Sequence, residues 1–229
     1  MALLIALGVI VLLFLLISWI QERARRRREA QTRAWAESRG MAYAAEAGPA
    51  LNTGASLLFI QGTGGKPGLF MHGQRDGIDV ALFEYRFWVP AGRYYRNWVQ
   101  TVVRLASPDL ALPAFAIIPA PVFDAMTERA RTKEMREQLE TSPYLTFREA
   151  PEFSRRNHVY APDKERVRAL ITPEVIAFYE SHPGLCTEGY EDALFFYRLD
   201  QLVDPDALDD VLSEALEAYQ LFKTDRRDV

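Results

Sequence analysis

The first twenty residues, Met1 to Ile20, carry no charged side chain, and Gln21 to Arg33 directly after them carry six arginines. A helix of about twenty residues rising ~1.5 Å each spans about 30 Å, the thickness of a bilayer's hydrocarbon core. Fourteen of the twenty are Leu, Ile, Val or Phe. At about −0.3 to −0.6 kcal/mol each near the bilayer centre, they favour insertion by roughly 4 to 8 kcal/mol without a partner helix. A cleaved secretory signal has its positive charge before a shorter apolar core, whereas here the arginines follow it, so the segment reads as a retained transmembrane helix. Positive charge beside a span stays on the cytoplasmic side, which predicts an N-terminus outside, a cytoplasmic domain and a bacterial inner-membrane location. Trp19 falls at interfacial depth, and Arg23, Arg25, Arg26, Arg27 and Arg28 are read as a membrane-surface collar attracted to anionic headgroups.

Without the collar's six arginines and two glutamates, 21 basic residues face 29 acidic ones, a net charge of −8 on the remainder. An acidic surface is repelled by phosphate backbones, so nucleic acid is not an expected partner. The expected partners are the lipid bilayer, through residues 1–28, and a protein. Cys186 is the only cysteine, which excludes an intramolecular disulfide and suits a reducing compartment.

Residues 21–45 read as a helical stalk ending near Gly40. Residues 46–120 then alternate short Phe-, Tyr-, Trp- and Val-rich runs with Gly and Pro, the pattern of antiparallel sheet. In Val80 to Val89 the set Ala81, Phe83, Tyr85, Phe87, Val89 is uniformly apolar. With Trp98 to Leu105 it predicts a hairpin looped over Pro90 to Tyr95, setting Glu84 and Arg86 towards Gln100 and Arg104. Phe115 to Ile118 reads as a buried strand, and residues 121–142 as a charged helical insertion. In residues 143–223 a strand near His158 to Tyr160 precedes helices capped by Asp163 and by Thr172 with Pro173. A hairpin is expected around Gly189, then an amphipathic helix from Asp204 and Pro205 through Leu208, Val211, Leu212, Ala215, Tyr219 and Phe222; residues 224–229 are a tail. The fold class is α+β: a transmembrane helix and stalk, then an antiparallel sheet packed by a C-terminal helix.

No motif specifies a reaction, cofactor or metal. Gly62 to Lys66 has the wrong spacing for a phosphate loop, with Pro67 where Ser or Thr is needed, and reads as a hairpin loop. His182, Cys186 and Glu188 lack the paired spacing of a zinc site, and Cys186 reads as an inert buried thiol. Glu84 and Arg86, charges within an apolar strand, are read first as a structural pair and second as lining a pocket for acid–base catalysis. Arg93, Tyr94, Tyr95 and Trp98, with Arg96, form a candidate recognition loop, because exposed aromatics and arginine favour interfaces.

Phe83 to Phe87, Gln100 to Val103, Leu112, Pro113 and Phe115, with Phe153, Ser154, Val159 to Ala161, Asp163 and Leu170 to Pro173, resemble a family of uncharacterised bacterial membrane-anchored proteins over residues 55–222. The resemblance implies a bacterial origin and assigns no functional residue. The function expected is a membrane-anchored interaction or scaffold module. The alternatives are a small-molecule or lipid sensor, marked by a deep cavity beside Glu84, and an enzyme, marked by convergence of Glu84, Arg86, His158 or Cys186.

Overall fold

The computed structural model describes residues 2–46, 63–91, 94–129, 137 and 141–223. It begins with one continuous helix, α1 (Ala2–Ser38), long and apolar enough to cross a membrane, whose large apolar side chains from Leu7 to Ile20 are exposed. Gly40, at φ +67°, ends it, and the amides of Arg39, Gly40 and Met41 return to carbonyls of Ala36 and Glu37. The remainder is built on a nine-stranded sheet: β1 (Ala42–Glu46), β2 (Thr63–Arg75), β3 (Ile78–Ala91), β4 (Tyr94–Ala106), β5 (Leu112–Pro119), β6 (Tyr144–Leu145), β7 (Asn157–Tyr160), β8 (Cys186–Glu191) and β9 (Ala193–Tyr197). Every neighbouring pair is antiparallel, in the order β1-β2-β3-β4-β9-β8-β5-β7-β6. The helices are α2 (Ala120–Arg129), α3 (Pro151–Arg156), α4 (Lys164–Leu170), α5 (Pro173–Ser181) and α6 (Leu208–Phe222), the last entered through a 3-10 turn at Pro205–Ala207.

Alternation along the long strands sends two apolar sets to opposite faces. Met71, Val80, Leu82, Val103, Leu105, Ile117 and Phe196 face a core completed by α5, by α6 and by Trp35 and Ala36 of α1. Phe70, Phe83, Tyr85, Phe87, Trp98, Phe195 and Tyr197 build a second, aromatic cluster with Cys186 on the other face. Strands β5 and β9 lie between covered faces and are buried almost throughout, which matches their unbroken apolar runs.

Local expectations hold at the caps. Asp163 accepts from the Arg166 amide, Thr172 from the Val175 amide ahead of Pro173, and α6 buries Leu208, Leu212, Ala215, Ala218, Tyr219 and Phe222. Three expectations are corrected. The segment from Thr63 to Lys66 is the start of β2, not a loop; Gly65 is required because the Tyr85 ring lies over it, where an added Cβ would stand 1.9 Å from the hydroxyl. β3 and β4 pair through Ala91 and Tyr94, leaving only residues 92–93 between them, so Glu84 opposes Thr101 and Arg86 opposes Val99. The β8–β9 turn lies at Glu191 and Asp192, with Glu191 at φ +54°, whereas Gly189 is mid-strand against the Phe115 ring. Of the charged insertion, α2 is described almost throughout; its Phe123 stacks on His158 at 4.1 Å and its Val122 packs on the second core, so this part is anchored to the sheet. Residues 130–136 and 138–140 and the tail from 224 lie outside the described residues.

Candidate functional site

The chemistry that joins helix and sheet centres on Glu84. Its position in β3 places the side chain on the Leu82 face, towards α1, and it is 9% exposed. A carboxylate there needs donors, and Arg28 supplies them: Nε donates to Glu84 Oε1 at 2.6 Å and Nη2 to the Val203 carbonyl at 2.7 Å. Asp204 lies 3.8 Å from the same guanidinium, and Arg86 Nη2 lies 3.8 Å from Glu84 Oε2. Arg28 is thus turned into the protein, away from the surface collar in which its sequence position places it. Its collar neighbours Arg23, Arg25, Arg26 and Arg27 are exposed, with Arg25 and Arg26 paired to Glu22 and Arg23 5.3 Å over the exposed Trp19 ring.

Further along α1 the Tyr43 hydroxyl donates to Glu29 at 3.3 Å, and burial together with that carboxylate pushes the phenol up to about 12. Thr32, Trp35 and Ala36 are buried on one helical stripe. Arg39 stacks 4.9 Å over Trp35 and forks onto both oxygens of Asp209 at the start of α6, holding that carboxyl below its usual range. The stalk is therefore clasped at Arg28, at Trp35 and at Arg39. Trp35, isolated in a charged helix, was the signal in the sequence that this stretch has a buried side; Arg39, Val203 and Asp209 had none.

The recognition-loop residues separate. Tyr94 and Tyr95 are exposed at the hairpin tip, and Arg93 lies outside the described residues. Trp98 is no loop residue: it is buried in the second core, 6.1 Å from Phe87 with Arg96 over its ring, and Arg96 pairs with Asp200 at 2.8 Å. Arg86 is half-exposed at the edge of the Arg28–Glu84 junction.

Glu84, His158 and Cys186 do not converge. β7 is five strands from β3, about 24 Å at ~4.8 Å per strand, and Cys186 belongs to the opposite face. Burial pushes the Cys186 thiol well up, which suits an inert side chain. Two residues on, Glu188 is buried and accepts from the Tyr197 hydroxyl at 2.6 Å, while His182 stacks on Phe178 and contacts the Phe178 carbonyl. Among the described residues no group of three or more His, Cys, Asp or Glu could hold a metal ion. Arg28 lies against Glu84, and a small cavity of about 30 Å³ next to them is lined by Thr101, Gln201, Val203 and Glu214. A cleft of about 510 Å³ opens at the other end of the junction, between Ser38, Arg39, Gly73, Arg75 and Asp209.

No protein-family model matches the chain, and no curated protein matches it. Among solved structures it is similar to the crystal structure of the mycobacterial trehalose monomycolate transport factor A, TtfA, with a TM-score of 0.58 at 13% identity over 88% of this chain and 99% of that one. At that identity the likeness is one of fold alone.

Proposed function

We propose that this chain is a single-pass inner-membrane protein whose cytoplasmic domain is a scaffold for lipid transport. One observation carries the reading: the helix able to cross a membrane does not end in a free linker but runs on into the domain core, held at Arg28, Trp35 and Arg39. A rigid connection serves a module that must work at a fixed height above the bilayer. The shared fold with a trehalose monomycolate transport factor supports lipid movement as the process served. The collar's charge supports the cytoplasmic side. A binding or scaffold role is favoured over catalysis by the separation of Glu84, His158 and Cys186 on the sheet.

Deletion of the gene in its source organism, with pulse-labelled lipids followed from synthesis to the outer layers of the envelope, tests the process. Slower appearance of labelled lipid outside, restored by the full chain but not by residues 41–229 alone, is the expected result. Unchanged lipid distribution would refute the role. Alkaline phosphatase and fluorescent-protein fusions at Val229 test the side: fluorescence without phosphatase activity is expected, and the reverse pattern would overturn the orientation.

A further inference from the structure

Among the described residues outside α1, the large apolar side chains left exposed are Trp88, Tyr94, Tyr95 and Leu202, at 44%, 79%, 63% and 37%. Four such residues scattered over a surface would mean little. Three of them lie together, and the fourth, Leu202, is level with Glu84. Leu202 adjoins Val203, whose carbonyl binds Arg28, and the other three occupy the projecting half of the β3–β4 hairpin.

The direction of that hairpin follows from two contacts. Arg28 meets Glu84, while at the end of α1 Met41 packs on Gly73, the cross-strand partner of Val80. From Arg28 to Ser38 the helix advances about 15 Å at ~1.5 Å per residue. From Glu84 back to Val80 the strand covers about 13 Å at ~3.3 Å per residue. Similar lengths between shared endpoints mean that β3 runs alongside α1, antiparallel to it, so its C-terminal end travels towards the apolar span. Ile20 lies about 12 Å before Arg28 on the helix, and Trp88 lies about 13 Å beyond Glu84 on the strand. Trp88 therefore stands level with Trp19 and Ile20, the edge of the span. Ala91 and Tyr94 lie about 23 Å beyond Glu84, and a 30° tilt between strand and helix would still leave a rise of about 20 Å, past that edge.

We infer that the tip of the β3–β4 hairpin is a second membrane contact, with Tyr94 and Tyr95 seated in the headgroup and upper acyl layer of the bilayer that α1 crosses. The inference rests on the anchoring part of the proposed function and is independent of which side the domain occupies. Tyrosine and tryptophan suit that depth because each joins an apolar ring to a polar tip. The charge pattern agrees: Lys66 and Arg86, paired across β2 and β3, lie between the levels of Arg28 and Ile20, where anionic headgroups would meet them. Backbone groups on the facing edges of β3 and β4 satisfy one another up to Ala91 and Tyr94, and those on the outer edges find water in the headgroup layer. Two contacts, helix and hairpin, would fix the rotation of the domain about the helix axis as well as its height.

Nitroxide labels on single introduced cysteines in the full chain, reconstituted into phosphatidylcholine and phosphatidylglycerol vesicles, test this. Native Cys186 is buried and stays unlabelled. Three sites are compared by accessibility to oxygen, which concentrates in lipid, and to a water-soluble nickel complex: Tyr94→Cys at the tip, Asp76→Cys at the opposite end of the same strands, and Leu13→Cys in the span. The expected result is an oxygen-to-nickel ratio several-fold higher at 94 than at 76, approaching that at 13. A ratio at 94 equal to that at 76, with 13 lipid-buried, would overturn the hairpin contact and leave the anchor standing. Nickel access at 13 as well would overturn the anchor and the hairpin contact together.

Discussion

At the scale of single residues, Glu84 and Arg28 show how a local reading is redirected by a partner far along the chain. The sequence marks Glu84 as unusual, a carboxylate in an aromatic strand, and offers Arg86, two residues on, as its counterion. The structure sets Arg28 closer, 56 positions away: α1 packs over this face of the sheet and brings its guanidinium to 2.6 Å from Glu84, against 3.8 Å for Arg86. Both side chains are mostly buried, so Glu84→Ala strands a charge and is expected to lower stability by about 1–3 kcal/mol in thermal melts of the detergent-solubilised chain. In a double-mutant cycle with Arg28→Ala the pair should couple by about 0.5–3 kcal/mol, and additive losses would contradict the latch. His158 makes a different case. Burial beneath Phe123 and Tyr144 lowers its pKa, with Asp124 opposing, so the folded protein prefers the neutral ring. On acidification below about pH 6.5 the unfolded chain takes up the proton first, and stability falls until the lowered folded value is passed. His158→Phe keeps a ring on Phe123 and removes that loss. Its melting temperature relative to wild type should rise steadily from about pH 7 to 5, and parallel profiles would contradict the assignment.

At the scale of elements, segments whose pattern is set by their own faces were legible. The caps at Asp163 and Thr172, the stripe of α6 and the alternation of β3 all follow from spacing alone, since a helix or strand must bury one side wherever it sits. Connections were less legible. Gly189 suggested a turn, but its lack of a Cβ serves close packing: a methyl group there would lie 2.1 Å from Phe115 Cε1, and the Phe115 ring is itself held 5.3 Å from Phe222. Gly189→Ala is therefore expected to cost about 1–3 kcal/mol through overpacking. A denaturant midpoint equal to wild type would show that the ring can move aside. The β3–β4 turn is shorter than the sequence indicates: Pro90 and Gly92 punctuate it, yet strand pairing extends past the proline to Ala91 and Tyr94.

At the scale of the whole molecule, α1 carries two jobs divided near Ile20. The large apolar side chains from Leu7 to Ile20 are exposed, whereas Trp35 and Ala36 belong to the core of the domain. A chain starting at Gln21 should therefore melt as the full chain does, while one starting at Met41 loses Trp35, worth about 1.5–3 kcal/mol as a buried large side chain, together with both arginine clasps. Equal melting temperatures for the two truncations would show that the helix is only a tether. The sequence by itself determined the apolar span, its basic collar, the alternating strands and the amphipathic closing helix, because periodicity and solvent preference act over a few neighbouring residues. Only the tertiary structure decided that Arg28 turns inward, that Trp98 is core while Tyr94 and Tyr95 are not, and that the hairpin points back along the span. Those outcomes depend on strand order and register, and hence on contacts between residues far apart in the chain, which no local pattern encodes.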